Sequence, residues 1–410
     1  MATILTVKAT DIPPGLAIST VLFAACTVFA LRPVRKPPPV STLSYLMGMA
    51  LNEIPFAIFL YLLLPGAALA LIEGDIHAPL GWVLAGFWLL VVAGLAVVWW
   101  RQQDAVNEVD DALDQALGHE PGSRNGTLHG PGPGKAPGFL RVLAAPFPVG
   151  RLDVKRVANR AYGDAGRHNL LDVYHHRSRP RGAPVLLYFH GGHFRGGHKR
   201  REGRPLILRL ASRGWVCVSA NYRLRPEASF PDWVVDAKRV IKWVKENGRD
   251  YGADPDSIFV AGSSAGGSLA TITGLTPNDP EFQPGFEGVD TTVSGFISLY
   301  GYYGALSGTE LLSSPFDYVN ENAPPAFLAH GELDTVIRED GARRFADRLR
   351  ETSENPVVYV ELAGAQHGFD VFHSERTERV VDGIEAWAAQ VGRAAPVASP
   401  PLSRRVRSIR

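Results

Sequence analysis

Apolar positions change their rhythm along this chain. Through the first hundred residues they run almost unbroken: Gly15 to Leu31, Ile54 to Ile72 and Pro79 to Trp100 carry no charge. Each run approaches the ~20 apolar residues a helix needs to cross a bilayer. Three in succession leave no polar face for water, which argues against buried helices of a soluble domain. The pattern predicts an all-α transmembrane region over residues 1–101, with helices at 15–31, 54–72 and 79–100. No small-x-small site follows the first run, so a cleaved leader is not expected. Arg32, Arg35 and Lys36 assign the first loop to the cytoplasm, and the loop with Glu73 and Asp75 to the outside. Three spans then return the chain to the cytoplasm at Arg101. If the first run only lies in the interface, the remaining hairpin still leaves the downstream domain inside. Asn52 and Glu53 sit at the edge of the second span, where a snorkelling contact with headgroups is the expectation.

Residues 102–150 read as a connection. Gln102 to Leu117 mixes apolar positions with Asp104, Glu108, Asp110, Asp111 and Asp114, the pattern of a surface helix. Gly118 to Gly138 is rich in Gly, Pro, Ser and Asn, a flexible tether. Phe139 to Pro148 is apolar with one basic residue; it fits a helix on the membrane surface, a cap over a site, or simple packing on the next domain.

From residue 151 to about 395 the rhythm becomes short apolar runs alternating with helical stripes, as an α/β fold requires. Strands are predicted at 169–174, 185–189, 216–220, 258–261, 293–299, 326–329 and 357–362. Trp233, Ala237, Val240, Ile241 and Val244 share one helical face. Further helices are predicted at 341–350 and 377–391. The irregular inserts 281–290 and 302–320 are candidates for lining a pocket. Residues 396–410 form a basic tail with Arg404, Arg405, Arg407 and Arg410, either solvated or in contact with anionic lipid.

Chemistry gathers at the ends of these strands. Gly262-Ser263-Ser264-Ala265-Gly266 follows the run 257–261, and a sharp strand-to-helix turn with flanking glycines presents a serine hydroxyl above a sheet. The run 185–189 ends in His190-Gly191-Gly192-His193, a turn that can aim backbone amides at a developing oxyanion. Asp334 follows the run 326–329, and His367 follows the run 357–362. A serine hydroxyl needs a base within hydrogen-bond reach. His367 would take the Ser264 proton, Asp334 would hold the imidazole in the right tautomer, and the amides of Ala265, Gly192 and Gly191 would bind the oxyanion. Glu332 and Asp340 are rival acids near Asp334. His330 is expected to be structural. Tyr222 and Arg223 are expected to pack and anchor their loop.

The chain here resembles the hormone-sensitive-lipase-like branch of the α/β-hydrolases. The resemblance rests on His190-Gly191-Gly192, Asn221-Tyr222-Arg223-Leu224 with Pro226-Glu227, Phe230-Pro231 followed by Asp236, Gly262 to Gly267, Asp334 and His367-Gly368-Phe369. It covers about residues 150–395. It implies a mostly parallel central sheet flanked by helices, and a carboxylic-ester hydrolase without a cofactor that uses Ser264, Asp334 and His367. It also implies that the His190 ring braces the oxyanion turn. Two positions depart from the branch: His193 stands where glycine is frequent, and Ser263 stands where aspartate is frequent.

Composition changes this picture little. A content of 46% hydrophobic residues is ample for a large core, and a net charge of +1 gives no reason to expect nucleic acid. Cys26 and Cys217 read as two buried small hydrophobes rather than a pair. His190, His193 and His198 match no familiar metal-ligand spacing. The leading expectation is a membrane-anchored serine esterase or lipase acting on a small-molecule or lipid ester. Acyl transfer or amide cleavage by the same triad, and a non-catalytic scaffold with this fold, are the alternatives.

Overall fold

Seven apolar runs and one polar one pair into a sheet in the computed structural model, which describes residues 14–73, 79–118, 146–147, 150–179, 181–306 and 312–392. The strands are β1 (Val154–Ala161), β2 (Leu170–His176), β3 (Ala183–Phe189), β4 (Val216–Ala220), β5 (Ala253–Ser263), β6 (Gly295–Leu299), β7 (Ala326–Gly331) and β8 (Val357–Leu362). They lie in the order β1-β2-β4-β3-β5-β6-β7-β8. β1, β2 and β4 pair antiparallel, and every later pairing is parallel. The seven predicted strands are all present. β1 has no apolar run because it is an edge strand whose residues are mostly exposed.

Helices cover both faces. α6 (Arg204–Ser212), α7 (Asp232–Asn247), α8 (Ala265–Leu275), α9 (Glu339–Thr352) and α10 (Glu375–Val391) alternate with the strands. On one face α7 buries Trp233, Ala237, Val240, Ile241 and Val244, the stripe expected from the sequence. On the other face α6 and α10 pack with Ala105, Val109, Ala112 and Leu113.

Those last four residues correct the reading of the connection. α5 runs without interruption from Pro79 to Leu117, 39 residues, or about 58 Å. The acidic stretch after Gln102 is therefore not a separate surface helix. Its charges sit on one side, while its apolar side closes the core against β8 and α10. The tether 118–138 lies almost wholly outside the described residues, as do residues 139–145 and the basic tail. Phe147 rests against Phe372, with ring centroids 5.8 Å apart.

The expected three spans are also revised. Among the described residues, only Gly81–Leu117 is a single helix long and apolar enough to cross a membrane. The first run forms α1 (Pro14–Leu31), whose apolar part Ala17–Leu31 is shorter. An unexpected helix, α2 (Pro38–Glu53), follows it, and the second run continues from there as α3 (Pro55–Ile58), a π-helical turn over Phe59–Leu63 and α4 (Leu64–Glu73). The chain bends by 94° where α2 meets α3. Pro55 lacks an N–H and cannot extend the preceding helix, so α2 and the second run part company there.

α2 is fastened to the α/β domain at both ends. Arg35, just before it, donates to the carbonyl of Glu332 at 2.9 Å and lies 3.6 Å from the Glu339 carboxylate. At its far end Glu53 accepts from Ser374 Oγ at 2.8 Å and pairs with Arg376, both partners fully buried. Asn52 is buried as well, and its carbonyl accepts from Gln102. The snorkelling expected of Asn52 and Glu53 is thus overturned: a buried guanidinium from the α/β domain supplies the partner that headgroups would otherwise give.

Candidate active site

β5 ends at Ser263, and α8 begins at Ala265, so Ser264 alone makes the turn. Its backbone sits at φ 55° and ψ −121°, a strained conformation for a residue with a side chain. Its amide is held by the carbonyl of Leu299 at 2.9 Å. Gly266 permits the turn, because a Cβ there would lie 2.0 Å from the carbonyl oxygen of Phe189.

Two other strand ends meet this serine. His367 Nε2 lies 3.0 Å from Ser264 Oγ, and His367 Nδ1 lies 2.7 Å from Asp334 Oδ2. All three residues are buried. The other carboxylate oxygen of Asp334 accepts the amides of Val336 at 2.7 Å and Ile337 at 2.8 Å. Burial alone would raise the Asp334 pKa, but His367, together with hydrogen bonds from His330 and His367, holds it well below the usual carboxylate range. The rival acids are occupied elsewhere: Glu332 accepts the amide of Gly364, and Asp340 pairs with Arg338 and Arg344 at the surface.

The Gly191–Gly192 turn packs against Ser264. A Cβ on Gly191 would come within 2.9 Å of the Ser264 Cβ, so only glycine permits this approach. One expectation for this turn needs revision. Of the three expected amides, that of Gly191 is already engaged, donating to Glu202 Oε2 at 2.5 Å. The His190 ring stacks on Tyr222 with centroids 4.6 Å apart, and its Nδ1 lies 2.7 Å from the Gly191 carbonyl. Burial lowers its pKa to about 4, so the ring is neutral at pH 7. Tyr222 in turn donates to the His190 carbonyl at 2.7 Å, and Arg223 forks onto Asp236.

Several neighbours carried no signal in the sequence. Gln366 Oε1 accepts the amides of Thr335 at 2.8 Å and His367 at 3.0 Å, tying the acid loop to the histidine loop. Tyr300 stands edge-on to His367 at 4.5 Å, and Tyr45 of α2 stands edge-on to it at 6.2 Å. A small, partly open pocket is lined by Phe194, Phe230, Trp233, Ser268, Leu269 and Tyr302. The insert 302–320 contributes to it, and the insert 281–290 does not.

Known proteins are similar in sequence to this chain over much of its length. The probable carboxylic ester hydrolase LipM of Mycobacterium tuberculosis is 34% identical over 92% of this chain and 93% of its own length. The chain belongs to the esterases of the α/β-hydrolase superfamily, in the hormone-sensitive-lipase-like branch. Esterase LipQ of the same organism is 33% identical over 74% of the chain and 82% of its own length. The BD-FAE family model matches residues 171–303 of this esterase. The propionate-bound thermophilic esterase Est2 of Thermogutta terrifontis superposes with a TM-score of 0.52 at 24% identity, covering 60% of this chain and 97% of that one. That likeness concerns the fold. The protein is a carboxylic-ester hydrolase, which sets aside the scaffold reading.

Proposed function

We propose that this esterase is held at a membrane by its N-terminal helices and cleaves carboxylic esters through an acyl-enzyme on Ser264. The observation that carries the reading is the relay of two hydrogen bonds, Asp334 to His367 and His367 to Ser264. His367 takes the hydroxyl proton as Ser264 Oγ bonds to the ester carbonyl carbon, then gives that proton to the departing alkoxide. Water repeats the sequence: His367 removes its proton, the hydroxide attacks the acyl carbon, and Ser264 leaves with the proton restored. Asp334 stays ionised and fixes the imidazole with Nδ1 protonated. The amides of Gly192 and Ala265 meet the oxyanion.

Membrane attachment is supported by the apolar half of α5, where Trp82, Val83, Phe87, Leu89 and Leu90 are exposed. A stretch of exposed apolar side chains this large needs a non-aqueous environment. The basic loop with Arg35 touches the catalytic domain, so both lie on one side of the membrane. The positive-inside rule makes that side cytoplasmic. With α2 against the His367 loop and apolar helices beside it, the substrate is a lipid-like or small apolar ester that reaches the site from the bilayer. A fluorophosphonate probe tests the reading: labelling of wild type at Ser264, together with hydrolysis of p-nitrophenyl butyrate, is the expected result. A wild-type protein that hydrolyses the ester but is labelled at another residue would overturn it.

A further inference from the structure

Beneath the relay lie two carboxylates that the chemistry above does not use. Asp370 is fully buried, and the Glu202 side chain is only 12% exposed. One oxygen of Glu202 accepts both the Gly191 amide at 2.5 Å and the Ser263 hydroxyl at 2.6 Å. Gly191 precedes the oxyanion donor, and Ser263 precedes the nucleophile. A single atom therefore ties the two loops whose separation decides whether an oxyanion meets its amides. The Tyr188 hydroxyl extends the seam, lying 3.0 Å from both Ser263 Oγ and Asp370 Oδ2. Asp370 also accepts from the Gly203 amide at 3.1 Å and from Tyr300, whose ring stands against His367. Burial and the nearby Glu202 charge push Asp370 up to about 6.

We propose that Glu202 is a positioning residue for ester hydrolysis: its carboxylate ties the Gly191 amide to the Ser263 hydroxyl and so clamps the Gly191–Gly192 turn against Ser264. The proposal rests on the reading of Ser264 as nucleophile. A buried amide needs an acceptor, and a charged acceptor makes the shorter and stronger bond. At this position such a bond fixes the His190–Gly191 peptide plane, and with the Gly191 carbonyl held 2.7 Å from His190 Nδ1 it sets the direction of the Gly192 N–H. An oxyanion donor acts in the transition state more than in the ground state, so a misaimed donor lowers kcat and leaves KM nearly alone.

The test uses the full chain in detergent with p-nitrophenyl butyrate. Glu202→Ala is expected to lower kcat by about 10- to 100-fold, somewhat less than outright loss of a donor, with KM within about threefold and slower fluorophosphonate labelling of Ser264. Adding Ser263→Asp to that variant is expected to return most of the lost rate, which a merely structural role would not. A folded Glu202→Ala protein within about twofold of wild-type kcat, or one that Ser263→Asp does not rescue, overturns the proposal. Should Glu202→Ala fail to fold, the isosteric Glu202→Gln decides: a fall in kcat of several-fold at steady KM supports the clamp, and an unchanged kcat removes it. Wild type is the control that separates the two claims. If the probe labels wild type at another residue, the nucleophile reading fails; if it labels Ser264 and only Glu202 proves indifferent, this inference alone fails.

Discussion

Tyr45, on the helix between the first two apolar runs, presents its ring to the imidazole of His367, with the planes inclined at 69°. Met49, one turn along α2, lies 3.6 Å from where a Cβ of Gly368 would stand. The wall of the site on the histidine side is thus supplied by the N-terminal region. Tyr45→Ala is expected to change the ratio of kcat/KM for octanoyl and acetyl p-nitrophenyl esters by about tenfold, since small apolar differences in a pocket are worth roughly 1–3 kcal/mol. A chain-length profile superposable on wild type would reduce α2 to a prop.

Ser264→Ala should lower kcat by a factor on the order of 10⁴ or more without unfolding the domain. Asp334→Asn should cost about 10⁴, because the asparagine favours the wrong imidazole tautomer. Glu332→Gln and Asp340→Asn are expected to stay within a few-fold, each being engaged by other partners. Ester turnover beside a circular-dichroism melt checks all four.

The Glu53–Arg376 pair makes a prediction about stability. Arg376→Met would leave the Glu53 carboxylate buried without its counter-charge, at a cost of about 3–5 kcal/mol. The double variant Glu53→Gln with Arg376→Met should recover most of that loss. Thermal unfolding in detergent reads both. If the single variant melts with wild type, the contact between α2 and the hydrolase domain contributes nothing.

Acid should act through His190. Its pKa falls from the usual 6.5 to about 4 because burial penalises the imidazolium. Between those values the unfolded chain binds a proton that the folded chain refuses. The stabilisation is full above pH 6.5 and is lost as pH drops towards 4, a swing on the order of 3 kcal/mol. His190→Asn should therefore show a flatter dependence of Tm on pH across this window. Parallel curves for variant and wild type would contradict the assignment.

A fragment starting at residue 139 would lack Ala105, Val109 and Leu113, which fill the core beside α10. We expect it to aggregate or melt early, whereas a fragment retaining Gln102 onward keeps that packing. Size-exclusion profiles of the two distinguish these outcomes.

The strands, the serine turn and the three strand-end residues were legible in the sequence, because each depends on local chemistry: apolar runs of strand length, glycines around one hydroxyl, and loops of fixed order. What the local pattern could not carry is whatever depends on a partner far along the chain. The acidic half of α5 reads as solvated because its charges are obvious, while its apolar side is defined only by the β8–α10 surface it covers. Glu53 reads as a membrane-edge carboxylate until Arg376 arrives from the other end of the molecule. Glu202 sits in a run of basic and glycine residues with no periodicity, and folding alone brings it to Gly191 and Ser263. Local patterns are enough to name the side chains proposed for the chemistry. Packing alone engages the Gly191 amide with Glu202 and brings α2 beside His367, since burial and long-range pairing are properties of the packed chain and not of any segment within it.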